Sequence, residues 1–203
     1  MFGDHFYYTN CKQNTYPFLR NLCKDSIIIF GSERNKTDFV IDTVFVVNSS
    51  ELMTTYYSHP GNYPDLLKQA TIDLLSSPLN NNKNYLRFYQ GKMYNFNMEY
   101  SIASPYTFCF VPCKVNCQLS GFERPIIDWE EFKLQKPGAG TVTKIIDYES
   151  DFSFWHNLVE ELLKKGFSLG VKLDMPPIDN KVELPENTAN TIGNTGYCVE
   201  MEC

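Results

Sequence analysis

DSIIIFGSERNKTDFVIDTVFVV, Asp25 to Val47, concentrates more β-branched and aromatic weight than any other stretch of this 203-residue chain. Two apolar runs, Ser26–Gly31 and Phe39–Val47, flank the polar segment Ser32–Asp38, and a gap of that length and composition closes an antiparallel hairpin. The hairpin is read as the centre of a sheet. Strand alternation places Phe39, Ile41, Thr43, Phe45 and Val47 on one face and Val40, Asp42, Val44 and Val46 on the other. Both faces are largely apolar, which predicts burial on both. Asp42 is the exception. A carboxylate among valines is costly to bury unless a donor or a cation meets it, so Asp42 is a candidate site residue.

Upstream, HFYYTNC (His5–Cys11) alternates as a first aromatic strand, and the polar turn from Lys12 to Asp25 carries Phe18, Leu19 and Leu22 at the spacing of a single helical turn. Downstream, Pro64–Ser76 reads as a helix with proline at its first position, followed by the polar connection Ser76–Asn84. Tyr85–Tyr100 alternates on either side of Gln90-Gly91, which predicts a second hairpin turning there. Tyr106–Cys117 is an aromatic strand that Pro112 ends or confines to an edge. Arg124–Glu131 reads as the opening of a short helix or turn. Over Phe152–Lys165, Trp155, Leu158, Val159, Leu162 and Leu163 recur at helical spacing, with Asp151 as cap and Gly166 as stop. A strand-like run follows from Phe167 and halts at Pro176-Pro177.

The fold class is α+β: a mixed, mostly antiparallel, partly closed sheet with two main packing helices, in one domain over 1–178. Residues 179–203 read as a polar C-terminal tail, with YCVEMEC as the candidate for a last edge strand.

The formal charge of −6 excludes an electrostatic grip on extended duplex nucleic acid, which needs a basic stripe to displace counterions, but leaves room for a pocket holding one nucleotide. MFGDHFYYTN lacks the features of a signal peptide and no apolar run approaches the roughly 18 residues of a membrane span, so a cytoplasmic protein without a membrane partner is expected. Seven cysteines, an odd number, point to reduced thiols rather than a disulfide framework. Cys109, Cys113 and Cys117 lack the paired short spacings of a zinc site and read as small strand hydrophobes, so no metal and no cofactor is expected. LQKPGAGTVTK (Leu134–Lys144) lacks phosphate-loop spacing, and none of His5, His59 and His156 has a partner spacing that supports catalysis. No catalytic motif is present, and whether the protein is an enzyme stays open.

What remains are polar groups set among aromatic strands: Tyr8, Asn10, Ser32, Asp42, Thr43, Tyr106, Phe108 and Arg124. Aromatic faces that sandwich a ring, with oriented donors and acceptors reading its edge, are a common way to hold a small planar ligand. Core aromatics, with Asp42 satisfied by backbone amides or by Arg124, are the plain alternative.

FYYTNC, LRNLCKDSIIIFGS and FVIDTVFVV, spanning residues 6–47, resemble the start of PUA-like barrels of the ASCH, EVE and YTH kind. The chain departs from their pattern at Lys24-Asp25, where the glycine of a Gly-Asp pair is missing. The resemblance implies a small barrel whose mouth accepts a nucleobase, often a modified one, and a setting in phage or bacterial defence. The expected function is binding of a nucleotide or modified nucleobase in an aromatic pocket. Two alternatives stand beside it: an enzyme acting on a nucleotide with Asp42 as acid or base, and a structural protein or homo-oligomer meeting its partner through an aromatic surface.

Overall fold

The computed structural model describes residues 6–9, 13, 15–34, 38–53, 55, 59, 61, 86–95, 106–116, 121–128, 132 and 151–171. The expected helix Pro64–Ser76, the tail 179–203 and Asn10 lie outside them.

The central hairpin forms as its sequence predicts. β2 (Ile27–Glu33) pairs antiparallel with the 15-residue β3 (Asp38–Leu52), and β3 is the strand on which the others assemble. Along one edge it carries β2. Its other edge is shared in turn by β7 (Ile126–Asp128), by a bridge from Val44 to Phe110, and by β4 (Arg87–Gly91), to which the short β1 (Tyr7–Tyr8) is added. The sheet order is β1-β4-β3-β2, with β7 beside β3, and every described pairing is antiparallel. Among the described residues β1 and β2 are outer strands that do not meet, so the sheet is not a closed barrel. A second, three-stranded sheet joins β5 (Val111–Asn116) to β6 (Gly121–Glu123) and β8 (Ser168–Gly170).

Two irregularities in β3 correct the strict alternation expected of it. Phe30 stands opposite Thr43 but Gly31 opposite Ile41, so Asp42 is the residue skipped in the register, a β-bulge. The face of every residue before it is thereby exchanged. Phe39 and Ile41 share a face with Gly31 and not with Thr43. The close approach of the Phe39 ring to Gly31 agrees: a Cβ at Gly31 would meet Phe39 Cζ at 2.6 Å. A second bulge skips Asn48 between Val47 and Ser49.

The two faces of β3 bury separate aromatic clusters. On one, Tyr8 stacks on Tyr89 (ring centroids 5.7 Å apart) and meets Phe30 and Phe45 at 5.5 and 6.2 Å. On the other, Phe110 lies opposite Val44, and Trp155 meets Phe108 and Phe110 edge-on at 4.9 and 6.1 Å. Trp155 comes from α1 (Asp151–Lys164), the helix expected from its period, and its indole N–H donates to the Phe108 carbonyl at 3.1 Å. This satisfies the one polar atom of a wholly buried side chain. Phe154, Leu158, Val159 and Leu162 complete the buried face of α1, whereas Leu163, expected in the same stripe, is half-exposed. Gly166, at φ 79°, ends the helix. Phe167 N–H donates to Leu162 C=O and Gly166 N–H to Leu163 C=O, both at 3.0 Å, the paired bonds of a Schellman cap.

Two local expectations fall. Gln90-Gly91 is no hairpin turn: β4 runs through both, Gly91 standing opposite Val47 and Gln90 opposite Tyr7 and Ser49. Arg124–Glu131 opens neither helix nor turn over its first half, since Ile126–Asp128 is β7, drawn into the sheet by Ile127, which is buried opposite Phe39. Pro112 lies inside β5 and does not end it, and among the described residues it is paired on one side alone, with Leu169 of β8, since β6 meets only Lys114–Asn116, so the edge position expected of it holds locally. The single helical turn before the hairpin is present at Pro17–Arg20. The side-chain amide of Gln13 imitates a strand partner, accepting from Arg87 N–H and donating to Arg87 C=O, both at 2.8 Å.

Candidate functional site

The eight residues expected to form one site fall into separate places. Tyr8 and Thr43 are buried on the Phe45 face, Tyr8 within its ring cluster and Thr43 with no exposed surface, so neither reaches a ligand from solvent. Ser32 is half-buried on β2 opposite Val40. Asn10 lies outside the described residues. Phe108 is buried and serves as the wall against which Trp155 packs. Two pairings remain: Asp42 with Arg124, and Tyr106 with Phe108.

Asp42 sits on the bulge, and its carboxylate accepts a hydrogen bond from the Arg124 guanidinium. The burial expected of it is corrected: its side chain keeps 36% of its surface exposed, and that of Arg124 49%. The bulge explains this, since it removes Asp42 from the register that carries its neighbours into the core. Arg124 is brought alongside by the backbone after it, where Pro125 C=O accepts Ile41 N–H at 2.9 Å ahead of β7.

The second pairing belongs to a larger group. Tyr106 meets Phe108 at 5.9 Å, Tyr94 meets Phe108 at 4.9 Å, and Trp155 packs against Phe108 from the interior. The Tyr106 hydroxyl donates to Met93 C=O at 2.6 Å, and burial is the main cause raising its pKa, so it stays a neutral donor. Lys92 lies against this cluster, with Nζ 5.4 Å from the Tyr106 ring centroid, 2.8 Å from Asp25 Oδ1 and 3.4 Å from Thr107 Oγ1. The ammonium is held on an aromatic face and a carboxylate at once. Its backbone is fixed as firmly, with Lys92 N–H on Val46 C=O and Lys92 C=O accepting Cys109 N–H, both at 2.8 Å.

Asp25, in the turn that leads into β2, adopts φ 69°. Aspartate is among the few residues that tolerate this region, and its N–H donates to Val47 C=O at 2.8 Å, which fixes the turn into β2. Lys92, Asp25, Tyr94 and Thr107 were not legible as site residues. Lys92 follows the pair misread as a turn, and the groups that surround it come from segments more than 60 residues apart in sequence for Asp25 and 15 for Thr107.

Cys109 is wholly buried. Its thiol accepts Val46 N–H at 3.1 Å and donates to Val46 C=O at 3.3 Å, and burial pushes its pKa up to about 12. It fills the core as expected of a strand cysteine and is no nucleophile. Among the described residues no His, Cys, Asp and Glu side chains gather in a group that could hold a metal, and no helix is long and apolar enough to cross a membrane.

The arrangement offers a rigid aromatic cluster that grades from buried Trp155 and Phe108 to half-buried Tyr94 and Tyr106, with one ammonium fixed beside it. Along β3, Val46 beside Lys92 and Asp42 beside Arg124 are four residues apart, or ~13 Å at the rise of a strand. No family model, no curated protein and no solved structure matches the chain.

Proposed function

We propose that the protein binds a nucleotide or modified nucleobase at the Tyr94–Tyr106 edge of the aromatic cluster, with Lys92 meeting the negative charge of the ligand. The observation that carries this reading is the Lys92 ammonium fixed 5.4 Å from the centroid of a half-buried tyrosine ring that is supported from behind by Phe108. Rings stack on aromatic side chains regardless of base identity, and a neighbouring cation answers phosphate. The ligand class is the one implied by the resemblance of residues 6–47 to PUA-like barrels, and the setting in phage or bacterial defence belongs to the same reading. Asp42 and Arg124, ~13 Å away along β3, lie within the span of a nucleotide with an extended phosphate chain.

The test is incubation with a nucleotide panel, mass spectrometry of what is retained, and calorimetric titration of the best binder. Tyr106→Leu is expected to weaken binding by about tenfold or more, the worth of one base–aromatic stack. Lys92→Gln should weaken a phosphorylated ligand more than its nucleoside. Retention of nothing by the unaltered protein, or equal affinity in both variants, rejects the proposal. Chemical conversion of the released ligand would instead make the protein an enzyme.

A further inference from the structure

β2 is an outer strand of the main sheet and carries an apolar run. Ile27, Ile28, Ile29 and Phe30 are each only partly buried, and among the described residues no strand lies beyond them. Folded proteins blunt such edges with charge, proline or a covering element, and Ser26–Ser32, SIIIFGS, contains neither charge nor proline.

The hydrogen-bond phase of the edge follows from bonds on the far side of β3. Val44 directs both its N–H and its C=O to Phe110, Val46 directs its C=O to Lys92, and Ile41 its N–H to Pro125. These residues face Ile29, Ile27 and Gly31 across the ladder. In an antiparallel pair, opposed residues either exchange both bonds or both turn away from each other. Ile27, Ile29 and Gly31 therefore point their N–H and C=O groups outward, away from β3.

We propose that two copies of this chain join through β2, pairing antiparallel about a two-fold axis at Ile29, so that the sheet runs continuously through both. Such an axis, normal to the sheet, sets each residue opposite one whose number makes the same even sum with its own. Centred on Ile29, it opposes Ile29 to Ile29, Ile27 to Gly31, Ile28 to Phe30 and Ser26 to Ser32. The outward-pointing residues are thus matched only with one another, giving about six hydrogen bonds at the spacing of an antiparallel ladder. The side chains match as well: glycine faces isoleucine, isoleucine faces phenylalanine, and serine faces serine at each end. A two-fold axis repeats each of these contacts on both sides of Ile29, as an isologous interface does. Asp25 and Glu33 would oppose each other at the margins, where Asp25 is already paired with Lys92. A strand pair of this length is smaller than the roughly 1,600 Å² of a standard interface, so a dissociation constant in the micromolar to millimolar range is expected. The proposal does not depend on the nucleotide reading.

Sedimentation equilibrium of the full chain over a wide concentration range tests it. The unaltered protein should show a monomer–dimer equilibrium. Ile29→Pro removes an N–H that the β2–β3 ladder does not use, so it should keep the fold and weaken the dimer by at least about tenfold. Ile28→Pro removes an N–H directed at Phe45 and should unfold the protein. A monomer at concentrations up to about 1 mM, or undiminished dimerisation of Ile29→Pro, overturns the proposal. If Ile29→Pro fails to fold, amide exchange in the unaltered protein decides. Protection of Ile27, Ile29 and Gly31 that rises with concentration supports the dimer, and protection independent of concentration means that the chain covers its own edge and overturns it.

Discussion

Asp42 and Arg124 form an ion pair in which both side chains keep a third to a half of their surface in water. Screening and side-chain entropy leave such a pair worth at most about 1 kcal/mol. Asp42→Asn is therefore expected to move the urea midpoint little. A fall in ligand affinity that exceeds the fall in stability would place Asp42 at the ligand, and the reverse ranking would leave it a structural residue. Cys109 is the opposite case, a titratable group with no exposed surface. An unfolded thiol ionises near pH 9.0, while the folded one holds its proton up to about pH 12. Between those values the native state binds more proton than the unfolded state, so the stability contributed by the buried thiol is complete below pH 9 and falls as pH rises towards 12. Denaturation followed against pH should show this alkaline loss, and Cys109→Ala should reduce its slope. A thiol reagent at pH 8 should label exposed Cys23 and spare Cys109 until the protein unfolds.

The helix α1 and the strand β4 show why some elements are legible in sequence and others are not. The apolar stripe of α1 packs to one side, so its period alone located the helix and its end at Gly166. Leu158 is wholly buried on that stripe, whereas Glu160 is half-exposed and makes only loose pairs with His156 at 3.4 Å and Lys164 at 3.9 Å. Leu158→Asp should cost several kcal/mol and Glu160→Ala less than about 0.5 kcal/mol, read as thermal midpoints. Equal midpoints would mean that the face has been misassigned. β4 was misread because Gly91 looks like a turn residue. Its smallness serves packing instead: a Cβ there would lie 2.6 Å from Cys109 Sγ and 2.7 Å from Phe6 Cβ. Those neighbours come from two other segments, and no local pattern announces them. The same holds for Asp42, whose place outside the core depends on a register set jointly by β2 and β7.

Across the whole molecule, the central hairpin, the turn before it, α1 and the strand after α1 were readable because each is fixed by contacts close in sequence or by a strong period. The site was not, because the residues that meet Lys92 and Arg124 are brought together only when distant strands assemble on β3. That same dependence has a consequence in time. β2 and β3 are joined by a short loop and can pair within microseconds, whereas β4, their next partner, begins 35 residues beyond the end of β3. At ordinary rates of synthesis the ribosome needs about 2–7 s to deliver that stretch. For those seconds a nascent hairpin built from IIIF and VFVV stands without β4, and its open edges are where a neighbouring nascent chain could pair.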